Sequence, residues 1–253
     1  VQRTDHSETV TFAPDTPLPP SFKTLRGPLT PEQDYSLTAR PGWLRLYGGQ
    51  SLSSHHKQTL FARRWQAFDF TAQTTLDFAP ENFQQMAGLA LFYDTCNWIY
   101  AFVTWDEENE TRTLRILRCD NKDFSYGCEA VLLPAGEIEL RVTVRGPDAR
   151  FAWRMAGTAG EEIPARPAGG AAENVPRTWP LAAAEGTADE TGWRPLGGPQ
   201  PADHLSDDYI EQRRGRCAFT GAMVALCAQD MDAHRSFADF GGFAYREQTA
   251  TAQ

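Results

Sequence analysis

The 253-residue chain is 41% hydrophobic and holds 7 Trp and 15 Phe, enough to fill the core of one large all-β domain or two small ones. Its net charge of −9, with no basic stripe, argues against nucleic acid as a partner, because such binding depends on clustered Lys and Arg neutralising phosphates. No run reaches the ~18 apolar residues of a membrane helix, so no membrane partner is expected either. The five cysteines, Cys96, Cys119, Cys128, Cys217 and Cys227, are odd in number, dispersed and without a C-x-x-C pair. They read as reduced thiols packed in β-structure, which favours a reducing, cytoplasmic compartment.

In chain order, residues 1–20 carry four prolines and no sustained periodicity, and read as an extended arm or interdomain linker. A β-rich body follows over 21–246, with 247–253 as a tail. Trp43, Arg45 and Tyr47 alternate with Leu44 and Leu46 after a Pro41-Gly42 turn, and a strand over Leu60–Trp65 comes next. From Phe68 to Phe78, Phe68, Phe70, Ala72, Thr74, Leu76 and Phe78 share one parity while the other is polar throughout. That pattern predicts one buried and one wetted face. Met86–Tyr93, Trp98–Trp105 and Thr111–Cys119 are separated by polar breaks too short for a crossover helix, so they predict an antiparallel meander. The first two runs are apolar at nearly every position, as in strands covered on both faces.

Ala130–Leu133, Ile138–Val144 and Arg150–Arg154 continue the β pattern, and residues 155–192 then turn to Ala, Gly, Pro, Glu and Thr. This stretch reads as a mobile insertion without a core of its own. Strands return at Trp193–Gly197, Gly221–Gln229 and Phe237–Tyr245. A dozen short strands and no amphipathic helix predict an all-β, two-sheet antiparallel sandwich of jelly-roll type.

Candidate chemistry is thin. Glycoside hydrolysis takes two carboxyl groups roughly 5 to 9.5 Å apart, one of them with a raised pKa. Glu107, Glu108 and Glu110 fall in a hairpin break, Glu137 and Glu139 sit at i, i+2 by a strand edge, and Asp207-Asp208 reads as a loop or cap. His55-His56 lies in a polar connection, while His6, His204 and His234 are isolated. No catalytic residue, metal ligand or cofactor site emerges. Trp43, Trp65, Trp98, Trp105, Trp153 and Phe219 are candidates for stacking on a sugar, though rings at strand positions ordinarily fill cores. Phe219 stands apart, between an Arg-rich loop and a strand.

Five stretches in order, Phe22-Lys23-Thr24-Leu25-Arg26, Arg40-Pro41-Gly42-Trp43-Leu44-Arg45-Leu46, Asn82-Phe83-Gln84-Gln85-Met86-Ala87-Gly88-Leu89, Leu205-Ser206-Asp207-Asp208-Tyr209 and Phe219-Thr220-Gly221-Ala222, carry a resemblance. With Leu60–Arg64 they resemble the concanavalin A-like C-terminal domain of family 43 glycoside hydrolases, the β-xylosidases and α-L-arabinofuranosidases. The resemblance implies a concanavalin A-like sandwich acting in xylan breakdown, packed on a five-bladed catalytic propeller that this chain lacks. It further implies that Phe219 is a substrate-binding residue, reaching across the interface to close a pocket for a xylo- or arabino-oligosaccharide. Residues 155–192 depart from the family, which has a short turn there. A homo-oligomer stays open. An independent lectin-like carbohydrate-binding module is the alternative that the fold equally allows, and a self-contained glycosidase is a third. A docking domain should carry a broad apolar face, a lectin a small aromatic groove with converging polar groups.

Overall fold

Alternating and doubly apolar runs both call for two stacked sheets, and that is what the chain builds. A computed structural model describes residues 4–157, 189, 191–215 and 217–248. The insertion read over 155–192 lies for the most part outside them, as does most of the 247–253 tail. The strands are β1 (Glu8–Val10), β2 (Phe22–Lys23), β3 (Tyr35–Ser36), β4 (Leu44–Tyr47), β5 (Thr59–Arg64), β6 (Asp69–Asp77), β7 (Gln85–Asp94) and β8 (Asn97–Asp106). They continue as β9 (Thr111–Asp120), β10 (Asp123–Tyr126), β11 (Val131–Leu133), β12 (Ile138–Arg145), β13 (Asp148–Met155), β14 (Arg194–Pro201), β15 (Met223–Asp230) and β16 (Phe237–Glu247). A 3-10 turn (Ala202–Leu205) and one helix, α1 (Asp207–Arg214), separate β14 from β15.

The first sheet runs β14-β13-β12-β6-β16-β4-β3 with β1 added on β16, and the second runs β10-β9-β8-β7-β15-β5-β2 with β11 added on β9. The meander β7-β8-β9 is the middle of the second sheet, paired from Asp94↔Asn97 to Asp106↔Thr111. Its two apolar faces serve two cores. Ile99, Ala101 and Val103 of β8 join the inter-sheet core with Leu89, Leu91, Leu114 and Ile116, while Trp98, Tyr100 and Phe102 form a second cluster on the outer face. Part of that outer face is covered by the connection before β5, where Leu52 is fully buried and Ser53 Oγ accepts from Trp98 Nε1 at 3.2 Å.

The apolar parity of β6 behaves as its alternation predicts, with Phe70, Ala72, Thr74, Leu76 and, just beyond the strand, Phe78 all buried. Phe68 is a correction: it precedes the strand, its ring is 83% exposed, and β6 begins only at Asp69. Within the residues read as an arm, the stretch from Glu8 to Phe12 is docked on the sandwich. β1 pairs with β16 in register Glu8↔Tyr245 to Val10↔Phe243, and Phe12 beyond it is buried. Arg63, itself buried, clamps this junction by bonding Glu8 Oε2 at 3.0 Å while its guanidinium lies 3.7 Å over the Tyr245 ring.

Helix α1 was not expected, and it is the second correction. Ile210 is its only buried residue, so no apolar stripe marks it. Its punctuation is nonetheless in the sequence: Ser206 caps the Tyr209 amide, Asp207 and Asp208 open it, Arg213 and Arg214 close it, and Gly215 ends it at φ 63°. Trp98 and Trp153 belong to cores, Trp65 packs at 5.1 Å on Phe70, and Trp43 lies beneath the Arg40 guanidinium at 3.7 Å. All five cysteines are free thiols.

Candidate functional site

The site grows from the end of β7, where pairing with β8 slips between Phe92 and Asp94. Pleat alternation sends the successive rings Phe92 and Tyr93 to different layers. Phe92 joins the outer cluster, whereas Tyr93 joins the inter-sheet core and is all but buried. Its hydroxyl donates to Asp207 Oδ1 at 2.6 Å and accepts from the Thr220 amide at 3.3 Å. Asp207 Oδ1 also accepts from the Gly221 amide at 3.2 Å. Burial, with the hydrogen bond to Asp207 next, raises the Tyr93 pKa, so its hydroxyl keeps its proton.

Beyond these bonds the chain is fixed again, for the Ala222 carbonyl accepts from the Trp65 amide at 3.0 Å. Gly221 sits at φ +66°, and a Cβ there would lie 2.2 Å from Arg64 Nη1. A side chain at 221 would therefore meet both backbone strain and the arginine. Three consecutive residues after Phe219 are thus held, and the Phe219 ring is 81% exposed.

The helix that supplies Asp207 is held at both ends. Ile210 enters the inter-sheet core. At its C-terminus Arg214 grips the β7–β8 turn, bonding Asp94 Oδ1 at 3.1 Å and Asn97 Oδ1, and the Asp94 hydrogen bond raises its pKa. Along the helix, Tyr209 stacks on His204 at 4.0 Å and donates to Asp120 Oδ2 at 2.7 Å. Burial and then Asp120 push its pKa to about 12. An open cavity of about 890 Å³ lies beside this end, walled by the turn at Asp94–Cys96, Lys122 and Arg213. The end of the sandwich is therefore a hydrogen-bonded rim from which the Phe219 ring projects.

The profile of the β-xylosidase C-terminal concanavalin A-like domain matches residues 9–173 and 182–246. The chain belongs to that family. Among its relatives, a β-xylosidase of Bacillus subtilis (strain 168) is 34% identical over 237 residues, covering 92% of this chain and 37% of the relative. Xylosidase/arabinosidase 43B of Humicola insolens is 29% identical over 232 residues, covering 89% and 36%. A solved structure, the xylan β-1,4-xylosidase of Bacillus halodurans C-125, is similar at 28% identity and a TM-score of 0.68, over 92% of this chain and 41% of that one. The chain thus spans about a third of the length of the curated relatives it matches.

The other candidates of this β-xylosidase C-terminal domain lie elsewhere. Glu137 is bound to Arg40 at 2.9 Å and Glu139 to Arg154 at 2.6 Å. Arg40 also holds Asp77 at 2.8 Å and Asp239 at 3.3 Å, so these acids are tied to guanidinium groups. Glu107, Glu108 and Glu110 sit in the exposed β8–β9 turn, and His55 and His56 are exposed in the connection before β5. Asp207 is more than a cap, since it bridges Tyr93 to the Phe219 segment, a role visible only once the fold brings residues 93, 207 and 221 together.

That bridge has a measurable consequence. Asp207→Ala removes the acceptor of one hydroxyl and one amide and should cost about 1 to 3 kcal/mol, the range for leaving buried donors unpaired. Amide exchange should quicken at Thr220 and Gly221 ahead of the β15 amides; uniform protection across both would contradict the anchoring role.

Proposed function

We propose that this chain is the accessory C-terminal domain of a β-xylosidase-type glycoside hydrolase of xylan breakdown, packing on a family 43 catalytic propeller and closing its sugar pocket with Phe219. The observation that carries this reading is a phenylalanine 81% exposed on a backbone whose next three residues are fixed. Burying such a side chain is worth roughly 1.5 to 3 kcal/mol, and a flexible loop could turn it inward. A ring held outward is ready to gain that energy against a partner. The family membership and the one-third span of the relatives support a catalytic remainder as that partner.

Catalysis is assigned to the propeller rather than to this chain, whose candidate acids Glu137 and Glu139 are occupied by arginines. The purified chain should therefore leave aryl β-xylosides and aryl α-L-arabinofuranosides unhydrolysed. Turnover that follows the protein through successive columns and vanishes on mutation of its own carboxylates would overturn the reading.

A further inference from the structure

We infer that the outer face of the second sheet carries a sugar site of its own, which takes a β-linked pyranose chain and is separate from the Phe219 rim. It does not depend on the role given to Phe219. Outward-facing residues of β8 run Trp98, Tyr100, Phe102, Thr104, and the connection bearing Leu52 and Ser53 covers the Trp98 end. At the other end a cavity of about 290 Å³ opens, a size at the small end of ligand sites and suited to one or two sugar rings. Phe102 lies in its floor, and Phe83 and Tyr126, 58% and 59% exposed, stand in its walls.

The polar groups of this groove are fixed in place. Asp106 Oδ1 accepts from the amides of Glu108 and Asn109, each at 3.1 Å, and its Oδ2 accepts from Arg115 Nη2 at 3.3 Å. Arg115 in turn lies 5.3 Å over the Tyr126 ring. Thr104 Oγ1 donates to the Phe83 carbonyl at 3.1 Å, tying the segment that carries one wall to the strand that forms the floor.

Exposed rings beside a guanidinium held by a carboxylate are the chemistry that receives a sugar. The apolar C–H face of a pyranose stacks on the rings, and its hydroxyls exchange hydrogen bonds with Arg115 and the exposed Glu107 and Glu108 carboxylates. Asp106, Glu107 and Glu108 against Arg115 leave the rim net negative, which disfavours phosphorylated or carboxylated ligands and suits a neutral polyol. All-equatorial β-linked xylose and glucose units present the flat C–H face that such walls need. Trp105 lines the groove eight residues along β8 from Asn97, roughly 26 Å from the end where Phe219 projects.

The test is titration of this chain with xylohexaose and, separately, cellohexaose, followed by calorimetry and by tryptophan fluorescence. Saturable binding of either is expected, and the stronger arm identifies the source as xylan or glucan. Tyr126→Ala and Phe83→Ala remove exposed rings, so melting should be unchanged while binding weakens about tenfold or more; Phe219→Ala should leave it unaltered. Three results would each overturn the assignment: no saturation by either sugar up to about 10 mM, which corresponds to negligible affinity, binding indifferent to both Tyr126→Ala and Phe83→Ala, or binding abolished by Phe219→Ala.

Discussion

Phe219→Ala should leave the thermal stability of this chain almost untouched and yet impair an assembled enzyme. A ring 81% exposed surrenders little buried area, so the expected loss is under about 0.5 kcal/mol, or roughly 2 °C in Tm for a domain of this size. Truncating a fully buried ring such as Phe240 should instead cost about 3 to 5 kcal/mol. Where the chain is joined to a propeller, loss of an apolar wall from a small sugar pocket should weaken xylose binding about tenfold, near 1.4 kcal/mol. Thermal melts address the first half and xylose inhibition the second. A large loss of stability with unaltered inhibition would assign Phe219 to folding alone.

Asp230→Ala should give the largest loss of stability among the polar substitutions. The carboxylate at the end of β15 is fully buried. Its Oδ1 accepts from the amides of Asp232 and Ala233 at 3.1 and 3.2 Å, and its Oδ2 from those of Arg235 and Ser236, both at 2.9 Å. One side chain thus organises the whole turn into β16. Space around it is closed as well, since a Cβ on Gly48 would lie 2.4 Å from Asp230 Cβ. Hydrogen bonds to charged groups contribute about 1.5 to 3 kcal/mol, and with four amides orphaned at once the expected loss is ~3 kcal/mol, or about 6 to 12 °C in Tm.

The same residue sets an acid limb. Burial pushes the Asp230 carboxyl up, but the amides of Ser236, Arg235 and Asp232 outweigh it and hold the pKa below the ordinary 3.8. The folded value is therefore depressed relative to the unfolded one. Its stabilisation is complete above the unfolded value and is lost as pH falls through the depressed folded value. Chemical denaturation from pH 6 down to pH 2 should show the native chain losing stability below about pH 4 more steeply than Asp230→Ala; parallel curves would remove Asp230 as the source.

The legible part of the fold was the part with a period. β6 and β12 alternate strictly, and β7 and β8 are apolar on both parities because the inter-sheet core and the outer cluster each claim one face. The docking of Val10 and Phe12 was not legible, because two apolar residues among prolines carry no periodicity and their burial depends on where β16 lies. Helix α1 buries one residue and left no stripe, though Ser206, Asp207 and Gly215 wrote its ends. The Phe219 rim draws on Tyr93, Asp207 and Trp65, and the outer groove on Phe83, Asp106 and Tyr126. Each set comes from three distant segments, so only the sheet topology brings it together. Phe219 itself was indicated by family resemblance, since exposure of a single ring is a tertiary property.

The role proposed for this domain is to complete a sugar pocket on another domain. Its most direct test is a fusion in which this chain replaces the matching C-terminal third of the Bacillus subtilis β-xylosidase, assayed for xylobiose hydrolysis and inhibition by xylose. The fusion should be active, and Phe219→Ala within it should raise KM and the xylose inhibition constant together, each about tenfold, as loss of a binding wall requires. An active fusion in which Phe219→Ala changes neither constant would contradict the account.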